Sequence, residues 1–198
     1  MLGTIDFRGT HQASDDGFML EVAVQQLVGQ PFLHFRFSYC DELTVHFGEA
    51  KAYSSPRMKH LTKGSYVLTL RASDWYLTAA GRPVLLLGGS EESDPAAQGI
   101  TLLTPDAVER ADYIKRGAIV TSVIIPNHVN GFALSIAFSD GALLRVSPSG
   151  TQLRNTSDPN DDVADWELFT PYQRVLTVGP GWRWCYLPSR KTETAQVS

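Results

Sequence analysis

The sequence predicts an α+β protein, mostly antiparallel β, made of two related β-rich units with about one helix each. Three observations carry that expectation. Two segments alternate apolar and polar residues on either side of a turn, "LHFRFSYCDELTVHF" at 33–47 and "FALSIAFSDGALLRV" at 132–146. A second phrase is written twice, as "SDWYLTAAGRPVLLLGG" at 73–89 and "ADWELFTPYQRVLTVGP" at 164–180. Only two stretches combine helical spacing with capping residues.

The first helix is expected in "SDDGFMLEVAVQQLVG". Ser14 or Asp15 is its cap, Phe18, Met19, Val22, Ala23, Gln26 and Leu27 fall near helical spacing, and Gly29 is the stop. Gly17 weakens it. The hairpin that follows places Leu33, Phe35, Phe37 and Tyr39 on one face with Leu43, Val45 and Phe47. Residues paired across a ladder lie on the same face, so pairing Phe37 with Val45 leaves Cys40, Asp41 and Glu42 as the loop. That register sets Arg36 directly across from His46, with His34 beside them.

From Lys51 to Arg71 the chain is basic with no acid between, and it leads into a strand at 65–70. The "DW" phrase then reads as strand, turn, strand. Residues 91–103 continue a Gly-, Ser- and acid-rich stretch and are read as linker. "TPDAVERADYIKRG" opens the second unit as a helix, with Thr104 as cap, Pro105 at the first helical position and Gly117 as the stop. In the second hairpin the pairing rule leaves Ser139, Asp140 and Gly141 as the loop, with Gly141 in the left-handed position. The second hairpin aligns with the first at a shift of 99 residues and the second "DW" phrase at 91, with Val84 on Val175 and Leu87 on Val178. The units are therefore 1–90 and 104–190, and 191–198 is a frayed tail.

With 43% apolar and 19% charged residues the composition is that of a globular protein. No apolar stretch approaches the roughly 20 residues of a membrane helix. The opening residues lack the basic start and long apolar run of a secretory signal, so no membrane association and a cytoplasmic location are expected. Cys40 and Cys185 have no metal-ligand or redox spacing, and two free thiols are expected. Trp75 and Trp166, at equivalent points of the repeated phrase, are expected in the core.

The strings "FSDGALLRV", "DWELFTP" and "VLTVGPGWRW", with "DELTVHFGE" and "KGSYVLTLRASDWYL", resemble small uncharacterised bacterial β-rich domains, here duplicated within one chain. The resemblance covers about two thirds of the sequence and implies a fold and a bacterial origin. It brings no catalytic residue with it.

No phosphate-binding glycine loop, dinucleotide fingerprint, nucleophile elbow, zinc-protease motif or paired-cysteine motif is present, so the chain reads as non-enzymatic, without cofactor or metal. Two surfaces remain as candidates. His34, Arg36 and His46 on the outer face of the first hairpin, with Arg57, Lys59 and Lys63 from the basic segment, form a cationic group for a small anionic ligand, a nucleotide or nucleic acid. Trp182, Arg183 and Trp184 form an aromatic and cationic group for a protein partner or self-association. Because the formal net charge is −4, the leading expectation is an interaction protein, such as a bacterial immunity or defence-accessory factor, with the anion-binding module as the alternative.

Overall fold

The computed structural model describes residues 16–37, 42–53, 55–71, 73–79, 82–86, 101–102, 113–148, 164–179 and 181–188. In chain order these hold helix α1 (Asp16–Val24), β1 (Phe32–Phe37), β2 (Leu43–Phe47), β3 (Lys51–Ala52), β4 (Thr62–Lys63), β5 (Tyr66–Leu70), β6 (Ser73–Ala79), β7 (Arg82–Leu86) and β8 (Thr101–Leu102). Then come β9 (Val120–Ile124), β10 (Asn127–His128), β11 (Gly131–Phe132), β12 (Leu134–Phe138), β13 (Leu143–Pro148), β14 (Trp166–Phe169), β15 (Arg174–Val178) and β16 (Trp184–Pro188).

Helix α1 runs into a tight turn at Gln25–Leu27 and stops at Gly29, whose φ of +84° suits glycine. Leu20, Val24 and Leu27 lie on one stripe and are wholly buried. The Gln25 side-chain amide donates to the Val123 carbonyl at 2.7 Å, tying the helix to strand β9. Residues 103–112, where most of the second expected helix falls, lie outside the described residues, and Tyr113–Gly117 form a bend and a turn.

The strands make two six-stranded sheets, one in the order β1-β2-β5-β14-β15-β16 and the other β8-β7-β6-β13-β12-β9. Every pairing in them is antiparallel except β7 with β8. Each sheet draws strands from both 1–90 and 104–190, so neither stretch builds a sheet alone. The joins are β5 with β14, where Leu70 faces Trp166, and β6 with β13, where Trp75 faces Val146. The inner faces meet in one core that includes Phe47, Leu68, Trp75, Ile136, Leu144 and Trp166. Phe47 and Phe138, one from each sheet, stack at 6.3 Å. Trp75 and Trp166 are both buried, and the Trp166 indole N–H donates to the Phe132 carbonyl at 3.0 Å.

The second hairpin keeps its expected register: Leu134 faces Val146, Ile136 faces Leu144, and Gly141 takes a φ of +85°. The first is shifted by two residues. Phe35 faces Val45 and Phe37 faces Leu43, so His34, not Arg36, lies across from His46, and Arg36 faces Thr44. A bulge at Leu33 lets Phe32 and Phe35 both point inward, which simple alternation does not allow. The two hairpins expected to be equivalent do not occupy matching places relative to Trp75 and Trp166. Strand β13 lies beside the Trp75 strand, whereas β5 stands between β2 and the Trp166 strand. In the "DW" hairpins Leu77 faces Val84 and Leu168 faces Leu176, so the expected match of Val84 with Val175 does not follow the pairings.

Among the described residues no helix is long and apolar enough to cross a membrane.

Candidate functional site: a flap over paired histidines

Period-two alternation sends His34 and Arg36 of β1, and Thr44 and His46 of β2, to the outer face of the first sheet. An outer face is ordinarily wet, and the sequence predicts that here. His46 is instead completely buried. Its cover is the segment between β2 and β5, a flap in which β3 and β4 pair with Lys51 opposite Lys63 and Ala52 opposite Thr62.

Both roots of the flap are glycines. A Cβ on Gly64 would lie 2.2 Å from the Phe47 carbonyl oxygen and 2.6 Å from its nitrogen, so only glycine lets the returning chain lie this close to β2. Gly48 has a φ of +81°, and a Cβ there would lie 2.2 Å from the Ser65 hydroxyl. That hydroxyl accepts from the Glu49 N–H at 3.2 Å.

The Gly64 N–H donates to His46 Nδ1 at 3.1 Å. A nitrogen that accepts a hydrogen bond carries no proton, so the neutral ring bears its proton on Nε2. Burial pushes the His46 pKa down to about 4, and the charges of His34, Arg36 and Lys63 push the same way. At neutral pH His46 is therefore a neutral donor. Its Nε2 is buried with no hydrogen-bond partner, an arrangement that typically costs about 1–3 kcal/mol. The His34 ring stacks on it at 4.3 Å with 22° between planes.

The cationic residues named from the sequence divide into two groups. His34, Arg36, His46 and Lys63 are brought together, with the Lys63 ammonium also 5.5 Å from the centre of the Tyr53 ring. Arg57 and Lys59 are exposed at the flap's far end, around the turn Pro56–Met58. Lys51 and Lys63 face one another in the flap ladder, an opposition of like charges that weakens it unless something negative lies near. Lys51 has an exposed ion pair with Glu49 at 3.4 Å. Further along the same sheet, Arg71 bridges Glu42 at 2.9 Å and Glu167 at 3.5 Å, so acids and cations there neutralise one another. The sequence reading passed over Gly48 and Gly64; the second follows Lys63 directly, and a glycine between two strand segments was the available signal.

At the other candidate surface, Trp182 is 41% exposed and lies edge-on against Phe132 at 5.0 Å. Trp184 faces Val178 in β16 and packs partly buried against the core, with its indole N–H buried and unpartnered. Arg183 is exposed and its charge acts on Asp165. Cys185 is a free thiol.

The aspartates of the repeated phrase carry unexpected chemistry. Asp165 is 3% exposed, with Oδ2 unpartnered, and burial raises its pKa to about 6 against the opposing pull of Arg183. Burial likewise raises the Asp74 pKa, against His128. Among the described residues no group of three or more histidine, cysteine, aspartate or glutamate side chains is placed to hold a metal ion. No protein-family model, curated protein or solved structure matches the chain.

Proposed function

We propose that the chain is an internal duplication whose function resides in what one half has and the other lacks, and that it is a binding module for an anionic ligand at the flap. The pairings support the duplication. Leu43 and Val45 of β2 face Leu70 and Leu68, and Leu134 and Ile136 of β12 face Val146 and Leu144. Trp166 and Leu168 in turn face Leu70 and Leu68, while Trp75 and Leu77 face Val146 and Leu144. On the other side, β1 and β9 pair with β2 and β12 through ladders with a register break at matching places, after Phe32 and after Val120. At the corner where the sheets meet, the Gly29 N–H donates to the Val120 carbonyl at 2.9 Å and the Gly117 N–H to the Phe32 carbonyl at 2.8 Å.

On that correspondence the halves differ sharply at one place. Where the first half pairs His34 with His46 and Arg36 with Thr44, the second pairs Ser122 with Ala137 and Ile124 with Ser135. Residues 48–65 join β2 to β5, whereas residues 139–142 suffice to join β12 to β13. A scaffold needs neither the extra segment nor a buried histidine. The observation that carries the functional reading is that both occur together, with the inserted segment bringing Lys63 to the group of His34, Arg36 and His46.

Arg36→Ala with Lys63→Ala should abolish retention of the protein on an immobilised anionic matrix at low salt, with the melting temperature unchanged. Retention of that variant equal to the wild type would sink the reading.

A protein partner, such as an immunity or defence-accessory role requires, is the second reading. It is favoured by Trp182, held on edge against Phe132 and still 41% exposed, in a strand-flanking turn beside Gly181.

A further inference from the structure

We infer that the ligand of the flap site is a terminal phosphate, free or as a monoester, taken up beneath the flap with His46 Nε2–H as its floor donor. This rests on the anion-binding reading above and adds the ligand's class and its mode of entry.

The donors available around His46 arrive from separate elements. The imidazole N–H comes from β2, the Arg36 guanidinium from β1, and the Lys63 ammonium from β4 in the flap. A planar carboxylate is best served by a single two-pronged donor, whereas a tetrahedral phosphate offers several oxygens to donors arriving from different directions.

Closure argues for a phosphate end over a continuous nucleic-acid backbone. His46 is completely buried, and its Nδ1 is held by the flap residue Gly64. A polynucleotide is tracked along an open groove with bases stacked beside it. A site sealed by one short flap admits a terminal group. Because Nε2 has no opening to solvent, the flap lifts to admit the ligand, and Gly48 and Gly64 are the residues where the chain turns into and out of it. A phosphate oxygen accepting from Nε2–H then satisfies this buried, unpartnered donor.

The test uses the full chain. Inorganic phosphate, glycerol phosphate, succinate and single-stranded oligothymidylate are titrated by calorimetry at neutral pH, and the His46 imidazole is followed by nitrogen-edited NMR. Phosphate and glycerol phosphate should compete for one site and shift the Nε2–H resonance. Lys63→Ala, a change at a half-buried flap position outside the core, should weaken both by about tenfold or more, as loss of a charged hydrogen bond does. Succinate binding in place of phosphate, or oligothymidylate displacing phosphate with a steep salt dependence, overturns the phosphate assignment and leaves the anion-binding reading standing. Phosphate binding that leaves the His46 resonance unmoved overturns the floor donor. Failure of all four to bind overturns both.

Discussion

Substituting Asp165 by Asn should stabilise the protein at neutral pH and change how its stability depends on pH. The carboxyl is 3% exposed, and burial raises its pKa from 3.8 to about 6. A group whose pKa is higher in the folded state contributes stability that is fully present below its unfolded pKa and is lost as pH rises through the folded one. A shift of that size corresponds to about 3 kcal/mol. His46 works in the opposite sense: its pKa falls from 6.5 to about 4, so its contribution is present above 6.5 and disappears as pH falls through 4. It too corresponds to about 3 kcal/mol.

Between about pH 4 and pH 6 the two slopes run against each other, and the wild type should be nearly flat there as far as these two groups decide it. Asp165→Asn removes one slope and exposes the other, so the variant should gain stability steadily from pH 4 to pH 6.5. Urea unfolding at several pH values, followed by tryptophan fluorescence with Trp166 buried beside the substitution, measures this directly. The informative quantity is the difference between the variant's effect at pH 7 and at pH 4, because pH-independent effects of the new amide cancel. That difference should approach about 3 kcal/mol in favour of the variant. An effect equal at the two pH values would falsify the account of Asp165 as a buried acid.

Four further changes probe the scaffold. Gly64→Ala should destabilise by about 1–3 kcal/mol through overpacking against the β2 backbone and expose the flap to protease, whereas undiminished unfolding midpoints would show that the flap root has room. Ile136→Ala, at a fully buried position, should cost about 2–5 kcal/mol; Phe37→Ala, at a half-buried one, should cost less in the same denaturation assay, and the reverse ranking would contradict the assigned faces. Gln173, at φ +56° in the turn between β14 and β15, is the described non-glycine residue with positive φ; Gln173→Gly should raise stability by up to about 1 kcal/mol, and a lowered melting temperature would show that its side chain does more for the turn than its backbone strain costs.

What the sequence made legible was local. The strands and the second hairpin's register follow from alternation and from Gly141, whose left-handed conformation marks the turn. The buried face of α1 was misjudged: Val22, expected on it, is exposed, and Leu20 and Val24, outside the expected set, are buried with Leu27. The first hairpin has no glycine in its turn, and pairings two residues apart keep the same faces together, so alternation could not choose between them. The bulge at Leu33 then hid the point where the inward pattern changes phase. The burial of His46 was illegible for a different reason. Its cover arrives through Gly64 from 18 positions away, and nothing in the alternation of β2 records that a flap lies on the outer face.

The interleaving of the two sheets answers why the "DW" phrase occurs twice. A strand that joins two three-stranded sets must present a full inner face at the seam, and each copy supplies one: Trp75 meets Val146 from β13, and Trp166 meets Leu70 from β5. The tryptophans thus cover the core at the two seams, and desolvation beside them raises the pKa of both neighbouring carboxyls, the buried Asp165 and the half-buried Asp74. The histidines follow the opposite logic. Neither seam requires His34 or His46, and the proposed equivalents Ser122 and Ala137 serve the second sheet without a flap. On this reasoning, changing Trp166 should damage the fold before any binding property, while changing Lys63 should damage binding and leave the fold intact.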